Sequence, residues 1–166
     1  MEIEVLPADY ADATHAAALV QLLDAYAADP AGGGQGLSEF TRSHLVRELA
    51  ARPQAFSVLA FDRSGQADPA PVGLVNCLEG FSTFACRPLV NVHDLAVMPA
   101  WRGKGVGRQM LALVESLARA RGACKLTLEV LAGNRSAMNL YRRCGFDGYQ
   151  LDPSMGSAQF LQKWLD

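Results

Sequence analysis

A glycine-rich basic loop between a strand and a helix constrains the fold of this chain more than any other feature. Residues 89–97, LVNVHDLAV, predict a strand, and RGKGVG follows at residues 102–107. Apolar residues at helical spacing then predict a helix over 105–121. Glycines let a ligand approach the backbone, and the N–H groups at a helix start attract negative charge. The stretch is therefore predicted to bind phosphate.

The spacing of the glycines excludes two common nucleotide-binding loops. A P-loop requires Ser or Thr after its lysine, whereas Gly105 follows Lys104 here. The dinucleotide fingerprint requires Gly-x-Gly-x-x-Gly directly after a first strand. In this chain the pattern is Gly-x-Gly-x-Gly, and Pro99 separates it from the strand. The phosphate therefore belongs to another kind of molecule.

Composition limits the compartment and the partners. The 166 residues, half of them apolar, predict a single domain over 1–166 with a substantial core. A net charge of −2 without a basic stripe argues against nucleic acid. No apolar run reaches the ~20 residues of a membrane span, and the acidic start is unlike a signal peptide. We therefore expect a cytoplasmic protein with reduced cysteines, and the three histidines lack the spacing of metal ligands.

The order of predicted elements indicates an α/β chain. Two strands joined by a polar loop suggest an antiparallel meander, and the strand–helix–strand unit around the glycine loop must be parallel. We expect one or two final strands from the tail beginning at Tyr149. The remaining predicted strands cover 3–6, 57–61, 72–78, 89–97 and 125–131, and the predicted helices cover 11–28, 38–52, 105–121 and 136–144.

Two motifs resemble the GNAT family of N-acetyltransferases. RGKGVG resembles the family signature (Arg/Gln)-x-x-Gly-x-(Gly/Ala), and NRSAMNLYRRCGF at 134–146 resembles its second motif, Asn…Ala…Phe/Leu-Tyr-x-x-x-Gly-Phe. VHDL at 92–95 is similar to the spermidine/spermine N-acetyltransferase-like branch, which has Leu-Glu-Asp-aromatic there. The resemblance implies a mixed, mostly antiparallel sheet of six to seven strands, flanked by about four helices. It also implies central strands that splay apart to admit acetyl-CoA.

The resemblance implies which residues bind acetyl-CoA, with no metal. The glycine loop would hold the pyrophosphate, and the end of the central strand would pair with the pantetheine arm through its backbone. Asn134 would either contact the pantetheine or cap the last helix. The implied residues are Leu95, Ala96, Val97, Arg102, Gly103, Lys104, Gly105, Val106, Gly107, Arg108, Asn134 and Tyr141.

The resemblance also implies direct transfer of the acetyl group to an amine. Tyr141 matches the family tyrosine that is proposed as general acid near the CoA sulfur. His93 stands where the related branch has a glutamate that is proposed to act as a base through water, and histidine can accept a proton near pH 7. Glu79, Glu129 and a water chain remain alternatives for the base.

The acceptor is expected to be a small primary amine, polyamine-like or amino-acid-like. Acidic and aromatic side chains suit a cationic amine, and the candidates for this wall are Tyr26, Asp24, Asp29, Phe81 and Phe84. Two alternatives stay open: an enzyme that acetylates a protein lysine or N-terminus, and a non-catalytic acyl-CoA-binding module. The donor could carry an acyl group longer than acetyl. Family resemblance further implies a homodimer.

Overall fold

The computed structural model describes residues 2–65, 69–149 and 151–165, and contacts divide the chain into two compact units, Met1–Leu128 and Glu129–Asp166. The first unit contains the sheet and three helices, and the second contains one helix. The strands are β1 (Ile3–Pro7), β2 (Ala55–Asp62), β3 (Ala70–Ser82), β4 (Arg87–Val97) and β5 (Leu126–Leu128). The helices are α1 (Ala13–Ala28), α2 (Glu39–Ala50), α3 (Val106–Ala120) and α4 (Arg135–Arg143).

The sheet follows chain order, β1-β2-β3-β4-β5. Its first four strands are antiparallel, and β5 is parallel to β4 because α3 crosses between them. The predicted α/β architecture, a mixed and mostly antiparallel sheet with about four helices, is confirmed. The described residues form five strands, however, rather than six or seven.

The missing strands were expected in the tail. Residues 151–165 contain a short 3-10 turn at Pro153–Met155 and no strand. Apolar tail residues come in adjacent pairs, Phe160-Leu161 and Trp164-Leu165, and all four are exposed. A half-buried strand needs apolar residues on alternate positions, so that one face can be covered. The prediction of tail strands was wrong because the tail lacks that alternation.

Helices cover both faces of the sheet in the first unit. On one face, Leu19 and Leu22 of α1 pack in a buried cluster with Leu59, Phe61 and Leu74. On the other face, α3 approaches β3 at Gly73, where a Cβ would lie only 2.8 Å from Met110 Cε. β2 is buried along almost its whole length because both of its faces are covered. This layering presents the end of β4 and the start of α3 at one edge.

Local sequence explains where the helices begin and end. The Asp12 side chain caps α1 by accepting hydrogen bonds from the Thr14 and His15 N–H groups, and Ser38 caps α2 through the Thr41 N–H. α1 ends at Ala28 because the next residue, Asp29, precedes Pro30 and is extended. Both helix starts therefore carry the side-chain caps that sequence reasoning favours.

Candidate functional site

The glycine loop connects β4 to α3 through two residues in left-handed backbone conformation. After the 3-10 turn Pro99–Trp101, Gly103 has φ 74° and Gly105 has φ 85°. A Cβ at either position would meet no other atom within 4 Å. Glycine is therefore required here by backbone conformation and not by crowding.

The start of α3 carries no side-chain cap in the described part of the chain. Its N-cap is Gly105, and no side chain accepts a hydrogen bond from the first turn. Gly103, Lys104 and Gly105 are exposed, whereas α1, α2 and α4 are capped by Asp12, Ser38 and Asn134. Uncapped N–H groups at the positive end of a 15-residue helix form a site suited to an anion.

Two of the three predicted cations already have partners around this loop. Lys104 Nζ lies 4.9 Å from the centre of the Trp101 ring. The Arg102 guanidinium donates from Nε to the Val97 carbonyl oxygen at 3.0 Å, and one terminal nitrogen donates to Asp29 Oδ2 at 2.8 Å. Arg102 thus ties the end of β4 to the end of α1. Arg108 is exposed in the first turn of α3.

The far half of β4 leaves one backbone edge open. β4 pairs with β5 only from Val90 to Val92, and among the described residues of the first unit its later part has no partner on that side. On the other side the β3 register shifts between Asn76 and Cys77, which leaves His93 as an extra residue in β4. The bulge lies just beyond Val92, where β4 stops pairing with β5. The edge of β4 from His93 to Val97 can therefore pair with another extended chain.

The residues predicted for pantetheine contact lie on this open segment. Ala96 is buried in the core, whereas the Leu95 and Val97 side chains are half-buried. The exposed His93 side chain sits at the bulge. The structure therefore brings His93, the open edge and the glycine loop into one continuous stretch of the first unit.

Asp29 and Tyr26, predicted for the acceptor wall, lie beside this stretch. The Arg102 guanidinium holds the pKa of the Asp29 carboxyl below its ordinary value, and the Ala31 N–H contributes to the same effect. Burial raises the pKa of the Tyr26 phenol, and the negative charges of Asp94 and Asp29 raise it further. Both residues therefore share surroundings with β4 and the glycine loop.

Three other candidates have different environments. Phe81 and Phe84 are exposed at the β3–β4 hairpin, at the opposite end of β4 from the glycine loop. Phe81 is in register with Pro88, which places it ~20 Å along the strand from Asp94. Asp24 accepts hydrogen bonds from Arg42 at 2.9 Å and from the Leu37 N–H at 2.8 Å. The Asp24 carboxylate therefore fixes the end of the loop between α1 and α2.

Glu79 and Glu129, the two carboxylates that were alternatives for the base, lie outside the stretch from His93 to the glycine loop. Glu79 Oε2 forms an ion pair with Arg121 at 3.2 Å, and Arg121 also stacks over the Phe56 ring. Glu129 is the first residue of the second unit and has an interaction of its own. Neither residue belongs to the stretch from His93 to Val97.

The second unit contains the motif residues Asn134 and Tyr141. Asn134 Oδ1 accepts a hydrogen bond from the Ala137 N–H at 3.1 Å, so the expected capping of α4 is present. Tyr141 is 9% exposed, and its ring packs edge-on against Phe146 at a centroid distance of 5.8 Å. The helix ends before Gly145, whose φ of 86° suits a helix terminus.

Sequence reasoning missed a chain of polar side chains that crosses the sheet. Tyr10 Oη lies 2.9 Å from Ser57 Oγ, Ser57 Oγ donates to Asn76 Oδ1 at 2.6 Å, and Asn76 Nδ2 donates to Asp94 Oδ2 at 3.0 Å. Ser57 is 1% exposed and Asn76 6% exposed. The available signal was the presence of a serine and an asparagine inside otherwise apolar strands.

Within 2–65, 69–149 and 151–165, no three His, Cys, Asp or Glu side chains gather where they could hold a metal ion. The four cysteines are free thiols, and burial raises the pKa of the Cys77 thiol to about 12. None of the described helices combines the length and the apolar character needed to cross a membrane.

The chain is similar to several acetyltransferases in sequence and in fold. The chain is 38% identical over 87 residues to streptothricin acetyltransferase from Streptomyces lavendulae, covering 51% of this chain and 46% of that protein. The crystal structure of a probable acetyltransferase has a TM-score of 0.77 at 19% identity, covering 100% of this chain and 99% of the other. Aminoglycoside N-acetyltransferase AAC(6')-Iy in complex with CoA has a TM-score of 0.71 at 15% identity, and the match covers 98% of this chain and 95% of the other.

These matches differ in what they establish. The chain spans less than half the length of the first curated relatives that it matches. The solved structures establish the fold alone, because their identities are low. The family model described as Acetyltransferase (GNAT) family matches residues 19–146, which is most of the chain. This protein therefore belongs to the GNAT acetyltransferase family.

Proposed function

We propose that this chain is an acyltransferase that moves the acetyl group of acetyl-CoA by direct transfer to the primary amine of a small molecule. The observation that carries the proposal is the uncapped, glycine-led start of α3 directly after an unpaired strand edge. Such a start suits a pyrophosphate, and an unpaired edge suits the amides of a pantetheine arm. Family membership supports the same donor.

The first unit offers a group for each part of the donor. We assign the pyrophosphate to the backbone of 102–107, with Arg102, Lys104 and Arg108 as counter-charges. We assign the pantetheine amides to the backbone of Leu95, Ala96 and Val97. Because Arg102 donates to Val97 and Asp29 in the structure, donor binding would exchange the carboxylate for a phosphate.

The proposed chemistry is nucleophilic attack on a thioester. The amine nitrogen attacks the carbonyl carbon, the C–S bond breaks, and CoA leaves as a thiolate. His93 is assigned as the base that takes a proton from the ammonium, and Tyr141 as the acid that protonates the thiolate. In balance, a protonated amine and acetyl-CoA give the N-acetyl amide, CoA thiol and one proton. Tyr141 is assigned from its position in the second motif.

The acceptor class rests on relatives and on local charge. Streptothricin acetyltransferase and aminoglycoside N-acetyltransferase are named for amine-bearing small molecules. Tyr26 and Asp29 beside the glycine loop supply an aromatic ring and a carboxylate that suit such acceptors. Phe81 and Phe84 stay in the proposal as a more distant part of the wall. A protein lysine or N-terminus is the second candidate acceptor.

We further propose one cytoplasmic N-acetyltransferase domain that acts as a homodimer. The family match from 19 to 146 crosses the boundary between the two units, which supports one functional domain. Free cysteines are consistent with a reducing compartment. The homodimer is inferred from the family, and sedimentation equilibrium of the full chain would test it.

Thiol release from acetyl-CoA with a panel of small amines and lysine peptides tests the function. Release with small amines supports the proposal, and release only with peptides favours a protein acetyltransferase. Binding of acetyl-CoA without release to any acceptor would favour a non-catalytic module. Repeating the assay with propionyl-CoA tests a longer donor.

The Tyr141→Phe variant tests the assignment of the acid. We expect turnover to fall ~100-fold, as for loss of a general acid, while acetyl-CoA affinity stays unchanged. Tyr149→Phe, at an exposed tyrosine outside α4, is the matched control. Normal turnover of Tyr141→Phe would remove the tyrosine from the mechanism.

A further inference from the structure

The polar chain that crosses the sheet has a fixed direction. Ser57 has one hydroxyl hydrogen and donates it to Asn76 Oδ1, so the Tyr10 hydroxyl must be the donor to Ser57 Oγ. The amide group facing Asp94 must be the NH₂, because a carboxylate only accepts hydrogen bonds. Every donor in the chain therefore points toward Asp94.

Stability alone does not account for this arrangement. Ser57 and Asn76 take up buried positions in strands whose other inward residues are apolar. Buried polar groups destabilise a fold unless each is hydrogen-bonded, and an apolar pair of similar shape is often as stable. Here each buried group is hydrogen-bonded, and the series of hydrogen bonds ends at the half-buried Asp94. Its result is a carboxylate held in one orientation.

Asp94 differs from its acidic neighbours in its partners. Asp24 and Asp29 are paired with Arg42 and Arg102, respectively. Within the described residues, no ion pair includes Asp94, whose Oδ2 accepts from the neutral amide of Asn76. A half-buried carboxylate without a cation is suited to bind a cation from solution.

The surroundings of Asp94 match an ammonium ion next to the donor. Asp94 follows the bulge at His93 and directly precedes the strand segment assigned to the pantetheine arm. The half-buried Tyr26 of α1 packs against the core cluster that includes Leu74, two residues from Asn76 on the same face of β3. The charge of Asp94 also contributes to the raised pKa of the Tyr26 phenol. A carboxylate beside an aromatic ring is a combination that recognises alkylammonium groups.

We propose that Asp94, with Tyr26 beside it, is the site that binds the acceptor as a protonated primary alkylamine. Tyr10, Ser57 and Asn76 are positioning residues that fix the rotamer of Asp94 from across the sheet. The identification of the bound cation as the acceptor rests on the proposed function. The ammonium site itself does not, because it can be measured by binding.

Benzylamine and aniline form a matched pair of probes, since the first is protonated at neutral pH and the second is not. We expect Asp94→Asn to raise the KM for benzylamine by about tenfold, because an interaction with a charged group is lost. The KM for aniline and the Kd for acetyl-CoA should change less than about twofold, since neither involves that charge. An equal effect on both amines, or none, would overturn the inference.

Calorimetric binding of benzylamine in the presence of CoA separates this inference from the proposed function. If the wild-type protein binds benzylamine, Asp94→Asn does not, and no amine is acetylated, the ammonium site stands and the acetyltransferase proposal fails. If amines are acetylated but benzylamine binds both proteins equally, the function stands and the site is wrong.

Variants of Ser57 and Tyr10 test the positioning role. Ser57→Ala should raise the KM for benzylamine about threefold and leave that for aniline unchanged, as expected for loss of one hydrogen bond. Ser43→Ala, on the exposed face of α2, is the control. Tyr10→Phe keeps the packing of a half-buried ring. It should raise the ratio of the KM for benzylamine to the KM for aniline, but by less than Ser57→Ala. If these variants lower the Tm but leave the ratio of the KM values for benzylamine and aniline unchanged, the hydrogen bonds from Tyr10 to Asp94 are purely structural.

Discussion

The two sides of β4 present different kinds of groups. On the glycine-loop side these are backbone groups: an uncapped helix start, two glycines with positive φ and a strand edge that β5 leaves unpaired. On the α1 side they are side chains, with Asp94 held by hydrogen bonds that cross three strands. A backbone site tolerates changes of side chain but depends on conformation. A side-chain site has the opposite sensitivity.

The largest effect expected on the backbone side comes from Gly105→Ala. Forcing alanine into the left-handed conformation costs about 1–2 kcal/mol, so acetyl-CoA affinity should fall about tenfold as the loop moves. Gly122→Ala is the matched control, because Gly122 has φ 76° beyond the other end of α3. Both variants should lower the Tm, but only the first should weaken acetyl-CoA binding in calorimetry. Equal binding losses would mean that strain in α3, and not the loop, controls the site.

A smaller effect is expected where a side chain assists the backbone. Arg102→Ala should weaken acetyl-CoA binding about fivefold, because a charged hydrogen bond to phosphate is lost while the N–H groups remain. Arg119→Ala removes an exposed arginine from the last turn of α3 and serves as control. Loss of all measurable binding in Arg102→Ala would show that this side relies on side chains as well.

The smallest effect concerns the ion pair that links the two sides. Asp29→Asn frees Arg102, and acetyl-CoA affinity should rise by no more than about twofold, as expected for release of an exposed pair. Titration calorimetry at neutral pH measures this change, and Asp24→Asn is the control. Weaker binding would show that Asp29 positions Arg102 for phosphate instead of competing for it.

The same variant also tests a pH dependence. The folded-state pKa of Asp29 lies below its ordinary value, so its stabilising contribution is present above the unfolded pKa of ~3.9. It is lost as the pH falls through the folded-state value. Urea unfolding at pH 7 and pH 3 should therefore show a smaller loss of stability in Asp29→Asn than in the wild type. An identical loss would mean that Arg102 and Asp29 are not paired in solution.

Prediction from sequence succeeded where the determining interactions are local. The glycine spacing, the strand before it and the helix after it lie within about thirty residues, and all three were placed correctly. It failed in the tail. The number of apolar residues there suggested strands, but these residues stand in adjacent pairs and do not alternate as a half-buried strand requires. The partners of Arg102 and Asp24 were also not predicted, since each bond joins residues brought together by folding.

The sequence by itself determined the family, the helices and strands up to α4, and the place of the glycine loop between β4 and α3. Glycine conformation, capping and hydrophobic period act between neighbours in the chain, so they can be recognised without a structure. Only the tertiary structure decided that Asp94 accepts a hydrogen bond from Asn76 across the sheet. Ser57, Asn76 and Asp94 are far apart in sequence and strand register puts them in line, while Tyr10 reaches Ser57 from the turn between β1 and α1. A side-chain site of this kind exists only once the sheet has formed.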